Sequence, residues 1–253
     1  MEQNIIEFKI DPNIAYDVVE LPSKGIHYTN KKKSVRVAYL TASDENILTS
    51  VNLMQSNKIV DELLKRKILD KDLSIDDLDD EDKKAILIFL RNTAFGSEYT
   101  VNLTDPKTNE PFEFNFNLDN IEVKDFNLIE NENGEYTYFL EKSNRTITFK
   151  FLTRKQQLEI EKLSENWTID STPPVITKQL EFMIKSVDGN RDLLTISNFI
   201  KNLPIKDSKD FRKYVLDNKP GIKLEQETTT PSGEKIQFLI GFGVEFFRPF
   251  FGL

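Results

Sequence analysis

The chain has 253 residues with a formal net charge of -8, which sets a low expectation for docking on phosphate backbones. It contains no cysteine, so disulfides and thiolate metal sites are excluded, and a reducing compartment fits. Hydrophobic residues at 38% and charged residues at 30% describe a folded chain with a well-solvated exterior, and the 19 Phe against 7 Tyr and one Trp call for burial in a core or an interface.

Ile6, Phe8 and Ile10 alternate with charged residues and predict a first strand. The start, MEQNIIEFKIDPN, has neither a basic region nor a long apolar run, so no signal peptide is expected. No stretch reaches the ~20 apolar residues of a membrane span, and a protein of the cytoplasm or of a particle is expected. On that expectation the sequons at Asn102, Asn144 and Asn166 carry no meaning. Leu21-Pro22-Ser23-Lys24-Gly25 is a turn signal, and Val35, Val37 and Tyr39 predict a second strand. The period then becomes helical. Ser43 reads as an N-cap, with Asp44 and Glu45 in the first turn and Ile47, Leu48, Val51 and Met54 as one stripe. Ile59, Val60, Leu63 and Leu64 predict another helix. A third opens with Asp79, Asp80, Glu81 and Asp82, and its apolar run from Ala85 to Leu90 predicts burial all round, with Arg91 and Gly96 marking its end.

From Tyr99 the period is two. Tyr99, Val101 and Leu103, a turn at Asp105–Asn109, and Phe112, Phe114, Phe116 and Leu118 predict a hairpin. A second hairpin runs through Tyr136, Tyr138 and Leu140 to Ile147, Phe149 and Phe151. Thr153 with Gln156 reads as a capping box. Pro173 and Pro174 precede a helix carrying Ile176, Leu180, Met183, Ile184 and Val187, which Asp188-Gly189 stops. Leu194–Leu203 and Asp207–Leu216 predict two short helices. Ile222 and Leu224, a turn at Pro231-Ser232-Gly233, and a strand carrying Ile236, Phe238, Ile240, Phe242 and Val244 close the chain.

The predicted fold is α+β, with two helical lobes each associated with antiparallel hairpins. The division is expected near 152, giving lobes 1–152 and 153–253. Thr104-Asp105-Pro106…Glu110 echoes Thr230-Pro231-Ser232-Gly233-Glu234, which reads either as a weak internal duplication or as two ordinary hairpins.

The chain offers little reactive equipment. His27 is the one histidine, no nucleophile elbow accompanies it, and a surface or half-buried loop position is expected. No phosphate-binding glycine loop exists, and Gly241 and Gly243 within a strand pattern suggest close packing. Asp70, Asp72, Ser74, Asp76 and Glu81 loosely match a calcium loop, but Ile75 occupies the position that needs glycine, so helix-start acids are the preferred reading. Lys31-Lys32-Lys33 lacks interleaved aromatics and reads as a solvated hairpin tip. Neither catalytic nor cofactor-binding nor metal-ligating residues are assigned. The last twelve residues hold five Phe, and Phe246, Phe247, Pro249, Phe250, Phe251 and Leu253 are the candidate protein-interaction residues, with a tail tucked into the chain's own core as the other reading.

Several motifs in order resemble one family. They are Val19-Glu20-Leu21-Pro22-Ser23-Lys24-Gly25 with Tyr28, Leu40-Thr41 with Asp44-Glu45 and Ile47-Leu48-Thr49-Ser50, Leu90-Arg91-Asn92 with Gly96 and Tyr99, Phe149–Thr153, and Val244-Glu245-Phe246-Phe247-Arg248-Pro249. The set resembles the baseplate hub subunit and hub-assembly chaperone family of T4-like contractile-tailed bacteriophages. The resemblance implies a non-enzymatic structural protein or assembly factor of the tail baseplate, carried in the virion after assembly in the host cytoplasm. Its partners would be other baseplate proteins in a multi-subunit assembly, with no nucleic acid and no membrane. A transient chaperone absent from the mature virion is the alternative, and a carboxylate-based metal-dependent hydrolase a remote one. Relatives often carry paired cysteines in the two turns that here read Asp105–Asn109 and Thr230–Gly233, so metal binding there does not carry over.

Overall fold

A computed structural model describes residues 13–50, 58–165, 172–242 and 244–247. The strand expected at Ile6–Ile10 and the helical positions Val51 and Met54 lie outside the described residues. The fold is α+β: seven helices and four small antiparallel sheets among the described residues.

Strands β1 (Tyr16–Glu20) and β2 (Ser34–Ala38) pair antiparallel, from Tyr16 opposite Ala38 to Glu20 opposite Ser34. Val19, Val35 and Val37 enter the core. In the connection, Gly25 sits at φ 76, and a β-carbon there would lie 2.6 Å from the carbonyl oxygens of Lys31 and Lys32. Only glycine satisfies both demands.

Helix α1 (Ala42–Leu48) starts two residues earlier than a Ser43 cap would allow. Thr41 is its N-cap, and the Asp44 carboxylate accepts from the Thr41 amide and hydroxyl at 2.8 and 2.9 Å. Lys67, at the end of α2 (Ile59–Lys67), then pairs with the same carboxylate. Helix α3 (Asp80–Phe95) is capped by Asp79 and stopped at Gly96. It is buried along one face, by Ile86, Leu87, Leu90 and Arg91, while Ala85, Ile88 and Phe89 are half-buried, so the expectation of burial all round is corrected. On the half-buried side Phe89 stacks on Tyr39 at 6.0 Å.

Strands β3 (Glu98–Thr104) and β4 (Pro111–Asn117) form the first expected hairpin. Strands β5 (Tyr136–Leu140) and β6 (Arg145–Phe149) form the second. The capping box of α4 (Arg154–Glu165) is present: the Thr153 amide donates to Gln156 Oε1 at 3.0 Å, and the Gln156 amide donates to Thr153 Oγ1 at 3.3 Å. Helix α5 (Val175–Met183) is shorter than its apolar stripe suggested. Ile184 and Val187 belong to strand β7 (Ile184–Val187), which adds to the free edge of β6. An available edge outweighs helical spacing for these β-branched residues. Helices α6 (Leu193–Lys201) and α7 (Ile205–Asn218) follow, then the hairpin β8 (Glu225–Thr229) and β9 (Lys235–Leu239). The last strand stops at Leu239 rather than running to Val244, and Val244–Phe247 form a 3-10 turn.

The buried side chains form two cores. The first gathers β1, β2, α1 to α3, Phe116 and Leu118, and it includes Ile240, Phe246 and Phe247 from the end of the chain. The second gathers Tyr136 to Phe151 with α5 to α7 and β7. Residues 136–151, which the sequence groups with the first lobe, thus bury their side chains with the helices that follow them, and the chain returns to the first core near its end. The β3–β4 and β8–β9 hairpins meet face to face, with Phe114 and Phe116 5.7 and 6.4 Å from Phe238.

Candidate functional site

Four consecutive acids open α3, where the helix dipole favours negative charge. Together they reach three distant stretches of the chain. Asp82 accepts from the Ser23 amide at 2.8 Å, from the Ser23 hydroxyl at 2.6 Å and from the Tyr28 hydroxyl. Asp79 caps the helix through the Glu81 amide at 3.0 Å and pairs with Lys219 at 3.1 Å. Asp80 pairs with Arg154 at 3.3 Å. Glu81 pairs with Lys84 at 2.7 Å and accepts from the Ile222 amide at 3.2 Å. A β-carbon at Gly221 would lie 2.9 Å from Glu81 Cγ, so glycine lets this segment pass. The residues around 221 are also strapped to 122–124, through Lys124 N–H to Gly221 O and Lys223 N–H to Glu122 O, both 2.8 Å.

The electrostatics of this junction follow from burial. Burial pushes the Asp82 carboxyl above its usual range, against the hydrogen bonds from Ser23 and Tyr28. Burial works in the same direction on Asp79, but Lys219 and the other donors outweigh it and hold that carboxyl below its usual range. Burial and the adjacent Asp82 raise the Tyr28 hydroxyl. His27 is not the surface or half-buried loop residue expected, since its side chain is 1% exposed. Burial lowers its imidazole to about 4, with Asp79 opposing the shift and Lys219 adding to it. The ring is therefore neutral near pH 7. Its Nε2 is 3.6 Å from Asp79 Oδ2, and neither ring nitrogen is in hydrogen-bond geometry. The Phe151 ring packs edge-on against it at 6.2 Å.

This arrangement ties chain segments together. The Ser23 hydroxyl donates to Asp82 and is fully buried, so it is not held by His27 as a nucleophile. Two of the calcium-loop positions are engaged by cations of the chain: Asp70 pairs with Arg36 at 2.7 Å and Lys32 at 3.3 Å, and Asp72 with the same Lys32 at 2.9 Å. Among the described residues no three His, Asp or Glu side chains converge on a metal-sized site. Lys31 pairs with Glu130 at 3.1 Å, so two lysines of the basic run have acidic partners within the chain.

The two proline turns meet. Asp105 is 1% exposed at the β3–β4 turn, and it accepts from the Ser232 amide and hydroxyl at 3.0 and 2.9 Å and from the Lys107 amide at 2.9 Å. Burial raises its carboxyl, but the Lys107, Ser232 and Thr230 donors outweigh burial and hold it at about 2. Where the family resemblance leads one to look for paired thiolates, a carboxylate joins the turns by hydrogen bonds.

Of the candidate interaction residues, Phe246 and Phe247 are fully buried in the first core. Pro249, Phe250, Phe251 and Leu253 lie outside the described residues. Phe246 packs on Tyr99 at 5.3 Å and Phe242 at 4.9 Å. Arg91 holds this corner, and sequence reasoning missed its role. It is 1% exposed, donates to the Gly96 and Glu98 carbonyls, and lies 5.1 and 5.8 Å from the Tyr99 and Phe246 rings. Burial lowers the guanidinium's pKa. The available signal was its spacing from Gly96 and Tyr99, which places a long cationic side chain beside a helix end and an aromatic ring.

Neither curated proteins nor solved structures provide a match to the chain. The family model described as T4 bacteriophage base plate protein matches residues 15–248. That span takes in the Ser23–Tyr28 turn, the acidic start of α3, both proline turns and Phe246-Phe247, and the chain belongs to the T4 bacteriophage base plate protein family.

Proposed function

We propose that this baseplate protein is a structural component of the hub region that works by docking onto other baseplate proteins and performs no catalysis. One observation carries the reading. The polar groups that could suggest chemistry at the start of α3 are engaged in joining segments 23–28, 154 and 219–222, while large apolar side chains stand exposed. Ile129, Leu193, Leu194 and Ile205 are 76–88% exposed, and Leu216 and Leu239, both 68% exposed, line one cleft of about 530 Å³. Exposed apolar groups gathered at one cleft, as Leu216 and Leu239 are, suit an interface. Residues 249–253, with two further Phe, are proposed to dock outward, because Phe246 and Phe247 anchor the preceding turn in the core.

Mass spectrometry of purified virions and of tail-assembly intermediates tests the role. A fixed copy number in virions is expected. Presence in intermediates alone would establish the transient-chaperone reading, and absence from both would remove the docking role. Deleting the residues after Arg248 should reduce incorporation while leaving the melting temperature unchanged. Unchanged incorporation would take the tail out of the mechanism.

A further inference from the structure

Among the described residues the β1–β2 ladder has one closed edge and one open edge. On the outer side of β2, the Leu69 amide donates to the Arg36 carbonyl at 2.9 Å, the Arg36 amide donates to Asp70 Oδ2 at 2.5 Å, and Val37 bridges Ile68. On β1 the phase of the ladder is set by Leu21 N–H to Lys33 O at 2.8 Å and Tyr39 N–H to Ala15 O at 3.2 Å. Bonded and non-bonded pairs alternate along an antiparallel ladder, so the odd-numbered residues of β1 bond to β2. The main-chain N–H and C=O groups of Tyr16, Val18 and Glu20 therefore point away from it. Among the described residues none of these groups has a main-chain partner.

The side chains beside this edge form an apolar row. Ile14, Tyr16 and Val18 share one face at period two and are 39%, 40% and 58% exposed. The exposed positions of β3, β4 and β8 carry Glu, Thr, Asn or Pro, while β5 and β9 each expose a single large apolar side chain, Phe139 and Leu239. The exposed charges of β1 are Asp17 and Glu20, and the nearby Arg36 is held by Asp70 at 2.7 Å. An acidic edge with an apolar face selects a basic, apolar-alternating strand. Residues 1–12 carry Glu2, Glu7 and Asp11 against Lys9, and a second copy would bring a second Asp17 and Glu20, so both are poorer electrostatic matches.

We propose that the open edge of β1 receives an extended basic segment of another protein as a third strand; this rests on the docking role proposed above. Main-chain hydrogen bonds to Tyr16, Val18 and Glu20 would set its register, its apolar residues would cover Tyr16 and Val18, and its cations would lie beside Asp17.

Amide hydrogen exchange of the full chain, read residue by residue by NMR, tests this with a synthetic nonapeptide alternating Lys and Val and a control alternating Glu and Val. The Lys peptide should slow the amides of Tyr16, Val18 and Glu20 by about tenfold or more and leave the already paired Asp17 and Val19 unchanged. The Glu peptide should do nothing. Val18→Pro removes one outward donor and keeps the bonds of residues 17 and 19, so it should weaken the Lys peptide by about tenfold with little change in melting temperature. Val18→Lys gives the same reading if proline unfolds the hairpin. No slowing by the Lys peptide, equal slowing by both peptides, or undiminished binding to folded variants would overturn the proposal. So would outward amides already slow in the free chain, at every concentration if residues 1–12 occupy the edge, or only at high concentration if a second copy does. None of these outcomes bears on whether the chain is found in tails. Its absence from tails would sink the docking role without altering the edge measurement.

Discussion

The carboxylate of Asp105 accepts from both the amide and the hydroxyl of Ser232, although 127 residues separate them. This contact fastens the tips of two hairpins whose faces already share the Phe114, Phe116 and Phe238 rings. Ser232→Ala should therefore cost about 1 kcal/mol in urea unfolding, the usual scale of one hydrogen bond. The Asp105 carboxyl is lowered from 3.8 to about 2, so its contribution is fully present above about pH 4 and lost as pH falls through 2. A Ser232→Ala protein as stable as the wild type in urea would show that the hydroxyl adds nothing to the amide bond and the ring packing.

Asp82 has a larger effect at stake. Its carboxylate takes the amide and hydroxyl of Ser23 and the hydroxyl of Tyr28, all buried. Asp82→Ala strands three donors at once and should destabilise the chain by on the order of 3 kcal/mol. The turn at residues 23–28 should also become the first site of limited proteolysis. Cleavage elsewhere first would contradict the role assigned to this carboxylate.

His27 predicts a specific pH slope. Its folded value is about 4 against 6.5 unfolded, so the unfolded chain takes up the proton first as pH falls. Stability from this residue is full above pH 6.5, declines between 6.5 and about 4, and levels off below; the total is roughly 3 kcal/mol. The Asp79 carboxyl is also lowered, and its contribution is lost only below 3.8, outside that window. Unfolding measured from pH 7 to pH 4.5 should show a shallower decline in His27→Gln than in the wild type. Parallel curves would mean that the ring is solvated.

Arg91 and Phe246 are expected to be coupled. Phe246→Ala should cost roughly 3–5 kcal/mol as a large core deletion. Arg91→Ala leaves the Gly96 and Glu98 carbonyls without their donor and removes the cation beside the Tyr99 and Phe246 rings. The double variant should lose about 1 kcal/mol less than the sum of the single losses. Strict additivity would show that the end of the chain is held by ring burial alone.

Local structure was largely legible. Period-two alternation located both long hairpins, and Thr153 with Gln156 located the start of α4. The errors came where a neighbour competes with a local preference. Ile184 and Val187 have helical spacing, but the edge of β6 draws them into a strand. For Phe246 and Phe247 the sequence left both an interface and a place in the core open, and Arg91, Tyr99 and Phe242 provide the place inside.

The amino-acid order by itself determined the α+β class, the scarcity of reactive groups and the acidic start of α3, because composition, period and capping act over a few residues. Only the tertiary structure decided that those four acids hold three separate stretches of chain, that Asp105 finds Ser232, and that β1 keeps an edge unpaired among the described residues. Such outcomes depend on which distant groups remain to satisfy one another once the cores have closed, and no spacing along the chain encodes that.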